Sequence, residues 1–381
     1  MNEDGLCLQV DADADTDTDT DSDADTDSDA DTDSDTDSDP SWDVCGDGTA
    51  PHSDIQEAVD AASDGATLLV CPGTYSAVVI DRVSVNLVGQ DGSASTIIDG
   101  RSDCALSVIG QTTRVSGFTL TGQGPGVSYK AAAVQLQDSV AEFEDIVLAD
   151  MEPGASDIIN SENTQSTWDG LVLSRNQGDS VLVIVYGGGS MAIRHATIED
   201  NFAPGIILAA PAGLEVSNSL FVGNTYSGYG QTSILVTSSG DSAWIFNNVF
   251  YNGFGAAVNV QGSAISVENN IASSYDGVGF YGQSGALIDY NCSYNNGSTD
   301  VGATGTHNIT SDPRFSDPAF GDFSLTAGFS PAIDAGNPLS GYNDVDGTRN
   351  DLGAWRATGS VVGKTPSTTG VVSDIEVFVR S

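Results

Sequence analysis

The sequence predicts an all-β chain wound as a single-stranded parallel β-helix, and three observations carry that expectation. Between residues 100 and 300 no amphipathic helix is visible; what recurs is a short strand, a turn and another short strand. Aligning the recurring segments places Phe118, Ile146, Leu171, Ala196, Leu220, Val249, Ile271 and Cys292 in one column. A second column, two residues on, holds Leu120, Leu148, Leu173, Ile198, Val222, Tyr251, Ser273 and Tyr294. This is a strand period of two nested in a coil period of about 25 residues, as expected when inward residues of successive coils stack into one core. Finally, Asn248, Asn270 and Asn291 fall at one place in three consecutive coils. Asn tolerates the left-handed backbone of a sharp corner, and its amides can bond as a ladder along a stack. A two-sheet sandwich predicts hairpin turns instead of a shared coil register.

The elements follow in order. Residues 11–39 alternate Asp with Ala, Thr or Ser. Repulsion at every second residue and the absence of large apolar groups predict an extended, hydrated spacer over 1–41. After Pro40 the composition changes. Residues 53–64 read as a short amphipathic helix, with Ser53 and Gln56 as a capping box and Ile55, Val59 and Ala62 on one face. Gly65 supplies its stop. Thr67 to Cys71 is a buried-strand run that opens the β-helix, which is expected to extend over 42–310. Residues 311–357 are expected to form a C-terminal cap, and 358–381 a polar tail with one strand-like run, Ile375 to Val379.

Two stretches carry a family resemblance. "DIQEAVDAASDGATLLVCPGTYSAVVI…VNLVGQDGSASTIIDG" resembles the N-terminal cap and first coils of bacterial right-handed parallel β-helix proteins, the pectin-lyase-like superfamily. "SDPRFSDPAFGDFSLTAGFSPAIDAGNP…DVDGTRNDLGAW" resembles the segment that closes many of them. With the repeats, the resemblance covers roughly residues 42–357 and implies a right-handed coil whose end is covered by the cap helix. The Asp-Thr/Ser spacer resembles those of exported, often lipid-anchored surface proteins. The superfamily includes polysaccharide lyases, glycoside hydrolases and pectin esterases alongside non-enzymatic surface proteins, so fold does not settle function. Gly73-Thr74-Tyr75 is similar to a pectin-esterase motif, but Ala77 stands where that motif carries Glu. The signatures of polygalacturonases and pectate lyases are absent.

Charge narrows the partners. The chain has 54 acidic and 11 basic residues among 381, a net charge of −43. Without the fifteen spacer carboxylates, 39 acids still face 11 bases, leaving −28. Such a surface repels nucleic acid and anionic headgroups, and it offers few cations to an anionic glycan. No apolar run is long enough to span a bilayer. MNEDGLCLQV lacks the basic and apolar regions of a signal peptide, and Asp4-Gly5-Leu6 before Cys7 is not a lipobox. A surface or extracellular location therefore implies a start upstream of Met1. Cys45 precedes the cap helix and Cys71 follows it, so a disulfide between them would staple cap to coil and imply an oxidising compartment. Cys292 reads as a small core residue.

The candidate chemistry lies at a corner. Four residues past the inward anchor, successive coils carry Asp150, Arg175 and Asp200, with Glu199 beside the last. A lyase needs carboxylates, usually with calcium, to neutralise a uronate and a basic residue to take its proton. An Arg between two acids is equally a surface charge ladder. His195 falls in the corner column, and Lys130 in the Gly-rich loop Gly122 to Tyr129. Asp344, Asp346, Asn350 and Asp351 are candidate ligands of a structural calcium, although Gly353 stands where an EF-hand loop closes with Glu; their alternative role is turn formation. Calcium is the only cofactor suggested. The expected function is a monomeric, exported, non-enzymatic β-helix contacting a glycan or a surface protein, with a polysaccharide lyase as the alternative. Tyr226, Tyr229 and Trp244 are the exposed aromatics suited to a neutral glycan.

Overall fold

The computed structural model describes residues 42–101, 104–122, 133–152, 157–210, 212–226, 231–237, 242–283, 285–302, 304–344 and 346–353. The acidic spacer, Cys7, Lys130 and its loop, Tyr229 and the tail lie outside them. The chain from residue 42 is a parallel β-helix, wound right-handed as parallel crossovers are. Each coil has three limbs. In one coil, limb one is Val85–Gly89, limb two Thr96–Asp99 and limb three Leu106–Ile109. Limbs one and two of successive coils merge into an 18-stranded sheet, and the third limbs form a nine-stranded one. Every pairing in both is parallel; among the described residues only the strand pair Phe315–Asp317 and Asp322–Leu325 is antiparallel.

From the third coil on, the first corner, between limbs one and two, is turned by a left-handed residue: Gly117, Asp145, Gly170, His195, Asn218, Asn247, Asn269 and Tyr290. At Gly117 a Cβ would stand 2.3 Å from the Gly89 carbonyl oxygen, so only glycine fits. The left-handed residues are thus Asn247, Asn269 and Tyr290, each one before the ladder asparagines expected to hold that backbone. Asn248, Asn270 and Asn291 themselves point inward, fully buried. The backbone N–H of Asn248 donates to Asn270 Oδ1 and that of Asn270 to Asn291 Oδ1, each at 3.0 Å. The side-chain amides bond along the same line, again at 3.0 Å. Ser219 joins below Asn248, and Asn308 continues above Asn291.

The observed register corrects the expected columns. Thr197 pairs with Leu220 and Ile198 with Phe221, so the column of Phe118, Ile146, Leu171 and Ala196 continues through Ser219 and Asn248, not Leu220 and Val249. A slip of one residue sends a side chain to the other face of a strand. Leu220, Val249, Ile271 and Cys292 accordingly face outward. They are buried nonetheless, in a second apolar cluster with Phe323, Leu325, Ala332 and Leu352 from the C-terminal segment. That segment lies along the flank of the last coils. It is clasped there by a reciprocal amide pair between Asn247 and Asn350 (3.1 and 2.8 Å). Glu268, 5% exposed, accepts from Asn337 and Tyr342. Cys292 is a buried thiol of this cluster, its pKa pushed up to about 12 by burial, and it reaches the Ser311 carbonyl oxygen at 3.3 Å.

The interior proper is continuous from Val44 to Ile288. Its bulkiest stack sets Trp168 against Phe143 at 3.8 Å, and Phe221 and Phe250 stack at 4.7 Å two coils later. The cap helix is shorter than expected, Ile55–Ala61. Its N-cap is Asp54, whose carboxylate accepts from the Gln56 N–H at 2.9 Å, so Ser53 is not the capping residue. Gln56 is freed to act as a strand: its side-chain amide accepts from Val79 N–H (2.7 Å) and donates to Val79 C=O (3.2 Å). One side chain thereby covers an otherwise open edge of the nine-stranded sheet. Cys45 and Cys71 form the expected disulfide, with Cα atoms 5.1 Å apart. Serine at both positions is expected to lower stability by about 3 kcal/mol, the loop-closure contribution for a 26-residue separation. Thermal unfolding with and without reductant checks this: the wild-type midpoint should fall with reductant and the double variant's should not.

Candidate functional site

The second corner, between limbs two and three, is built on another left-handed column: Asp150, Arg175, Asp200, Gly223, Asn252, Ser274 and Asn295. The three residues singled out by spacing therefore occupy equivalent corner positions in consecutive coils. The left-handed turn throws each side chain outward. The next residue in each coil turns inward, and there Asn176, Asn201 and Asn224 form a second amide ladder. Asn176 N–H donates to Asn201 Oδ1 at 3.0 Å and Asn201 N–H to Asn224 Oδ1 at 3.1 Å. This ladder escaped the sequence reading, although Asn176 and Asn201 directly follow two residues of the predicted trio, Arg175 and Asp200.

Arg175 and Asp150 form a bidentate pair, Nε to Oδ1 and Nη2 to Oδ2, both at 2.7 Å. The fork geometry suits guanidinium and carboxylate, but both groups stand in water, where such a pair stabilises little. Hydrogen bonding to Arg175 holds the Asp150 carboxyl below its usual range, and the same bonds raise the Arg175 pKa further, with Glu199 and Asp200 adding to it at a distance. Among the described residues no ion pair joins Asp200 to Arg175. The trio is thus a pair plus a neighbour. Its guanidinium is held firmly protonated, the opposite of what a base needs.

Two residues past the corner, an outward row runs through Gln177, Phe202, Thr225 and Phe254. Gln177 bridges to Phe202 and Phe202 to Thr225; Phe254 N–H then bonds to Asn224 C=O as Thr225 N–H does to Asn201 C=O. Phe202 and Phe254 are 39% and 42% exposed. Their backbones stand two strand spacings apart, about 10 Å. Tyr226 leans on Phe202 with ring centroids 5.2 Å apart. Neither phenylalanine was predicted; adding two to Asp200 finds Phe202, whereas Phe254 lies two past Asn252, a corner residue outside the charged trio. Trp244, also exposed, lies elsewhere, on the outer face of limb one beside Glu215.

That limb-one face carries its own ion pairs. Arg194 forks onto Glu215 at 2.7 and 3.1 Å, and Arg114 reaches Glu144. His195 sits in the left-handed column with Asn218 and Asn247, one position before the ladder column in which the spacing placed it, and its ring bonds to a carboxylate: Nδ1 lies 2.7 Å from Asp169 Oδ1. Each of these basic side chains thus meets a carboxylate of an adjacent coil, although Glu144 and Asp169 stand side by side as two acids in the register.

The four predicted calcium ligands each hold hydrogen bonds within the protein. Asp344 accepts from Asp351 N–H, Asp346 from Thr348 N–H and hydroxyl, and Asp351 from Asp334 N–H. Asn350 turns inward and spends its amide on Asn247. Among the described residues no three His, Cys, Asp or Glu side chains gather as a metal site. The segment uses its carboxylates as turn formers because its N–H groups lack strand partners.

No protein-family model and no curated protein matches the chain. Among solved structures it is similar to a pectate lyase, Pel9A, with 15% identity, a TM-score of 0.42, and coverage of 81% of this chain and 91% of that one. A pectin methylesterase from carrot shows 13% identity, a TM-score of 0.38 and coverage of 70% and 88%. The pectin methylesterase PemA from Erwinia chrysanthemi shows 8% identity, a TM-score of 0.33 and coverage of 74% and 97%. Such likeness concerns the fold, and activity does not travel with a fold.

Proposed function

We propose that the chain is a non-enzymatic β-helix that holds uncharged glycans along its second corner and works outside the cytosol, carried on its acidic spacer. The observation that carries this reading is the outward row in which Phe202 and Phe254 present their rings two coils apart, with Thr225 between them and Tyr226 alongside. A repeat of that size is close to that of a disaccharide in an extended β-linked polymer. An aromatic ring meets the C–H face of a sugar without demanding charge from it. The surrounding −28 body favours a neutral ligand over a uronate. The Cys45–Cys71 disulfide fits an oxidising compartment. Among the described residues no helix is long and apolar enough to cross a membrane.

A lyase centred on Asp150, Arg175 and Asp200 would require Arg175 to give up a proton that Asp150 holds in place. Calorimetric titration of the full chain with neutral hexasaccharides of cellulose, xylan and galactan tests the binding reading. Phe254→Ala is expected to weaken binding roughly tenfold, the about 1.4 kcal/mol of one lost stacking partner. No unsaturated product is expected from polygalacturonate with calcium. Ultraviolet absorbance appearing with wild type and vanishing with Arg175→Ala would reverse the reading in favour of the lyase.

A further inference from the structure

A concavity of about 360 Å³ opens at the third corner, where limb three of one coil turns into limb one of the next. Its volume lies within the range of about 300–1,000 Å³ typical of small-ligand sites. Gly110, Asp138 and Asn163 turn this corner in three consecutive coils, all left-handed. Thr112, Val140 and Gln165 follow in one outward row, in register with one another. The depression therefore runs along the stack for two strand spacings, about 10 Å.

We infer that this depression is a second saccharide subsite, taking about two residues of an uncharged oligosaccharide. The inference rests on the ligand class proposed above but not on the aromatic row, which lies at a different corner. The lining has the chemistry of a polyol site. Val140, 45% exposed, offers an apolar patch for a sugar C–H face. The Gln165 amide is exposed and makes no hydrogen bond among the described residues, so its donors and acceptor face the depression unspent. Asp138 Oδ1 takes one bond from Asn163 Nδ2 at 3.1 Å and keeps a second oxygen for a hydroxyl donor. Gln111 receives Ser84 Oγ at 3.3 Å and retains its amide hydrogens.

The floor is fixed. Ser139 and Thr164 spend their hydroxyls on backbone groups of this and adjacent coils, in bonds of 2.6 to 3.4 Å, so the corner is held before any ligand arrives. Among the described residues no lysine or arginine lines the depression, and the carboxylate of Asp138 repels a uronate. Neutral hydroxyls are the groups that can use every donor and acceptor presented.

The test is calorimetric titration of the full chain with the same neutral hexasaccharides, comparing wild type, Val140→Trp, which fills the depression, Gln165→Ala and Phe254→Ala. Circular dichroism controls for folding; these are exposed side chains on an intact ladder. At least a tenfold loss of affinity is expected for Val140→Trp and a three- to tenfold loss for Gln165→Ala. Binding weakened by Phe254→Ala but unchanged by both depression variants overturns the subsite and leaves the aromatic row standing. Loss on Val140→Trp with no effect of Phe254→Ala supports the subsite and overturns the row. No saturable binding of any neutral hexasaccharide to wild type overturns both.

Discussion

Asn270→Ala is expected to lower stability by about 3–5 kcal/mol, more than its size suggests. The side chain is fully buried and occupied at every polar atom. Its Oδ1 accepts from the N–H and the amide of Asn248, both at 3.0 Å. Its amide donates to Ile245 C=O, Glu268 C=O and Asn291 Oδ1 at 2.8, 2.9 and 3.0 Å. Alanine leaves these partners in a place water cannot reach, at about 1–3 kcal/mol for each group stranded. Asn270→Asp keeps the acceptor, removes the donors and buries a charge, so it should cost at least as much. Urea unfolding followed by circular dichroism measures both. A loss under about 1 kcal/mol for the alanine variant would mean that the ladder decorates the corner without holding it.

Trp168→Ala should cost a similar amount, about 3–5 kcal/mol, by a different route. The indole is fully buried, stacked on Phe143 at 3.8 Å with the rings 11° from parallel, and Nε1–H donates to Ser166 Oγ at 3.3 Å. Removing it opens a void in the interior of consecutive coils and strands the serine hydroxyl. Because each coil packs on its neighbours alone, the void cannot be closed by a distant shift. Trp168→Phe retains the stack and should recover most of the loss. Thermal unfolding of the pair separates volume from hydrogen bonding; equal midpoints for Trp168→Ala and wild type would deny the core its continuity there.

Much of the coil was legible in the sequence because its interior is apolar on one face and polar on the other. From Phe118 to Ile198 both inward columns read true, because each inward position there holds an apolar residue, even where Val147 and Val172 stand on the outer face between them. It became ambiguous where Leu220-Phe221, Val249-Phe250 and Ile271-Ala272 put apolar residues on both faces of a strand. Leu220, Val249 and Ile271 look outward into the C-terminal segment, whose arrival no local pattern announces. The inward row meanwhile changes chemistry from Ala196 to Ser219 and Asn248, so hydrophobicity followed the wrong atom by one residue. The charged trio was found because corner residues keep their spacing. Phe202 and Phe254 were missed because an exposed phenylalanine looks like any other until its row is known. The part Asp344, Asp346 and Asp351 take in turns of the C-terminal segment could not be read from sequence, since oxygen-bearing residues close together suit a turn and an ion alike.

The flank-lying C-terminal segment has a consequence for biosynthesis. Coils can add one by one as the chain emerges, each laid on its predecessor within about 25 residues. The clasp breaks that order: Asn247 waits for Asn350 and Glu268 for Asn337 and Tyr342, across 103, 69 and 74 positions. Until those arrive, Leu220, Val249 and Ile271 stand as a greasy stripe on a finished spiral, open to any neighbouring nascent chain. A ribosome stalled near residue 310 would display a wound but adhesive product, and residues 311–353 convert it into one whose stripe is covered.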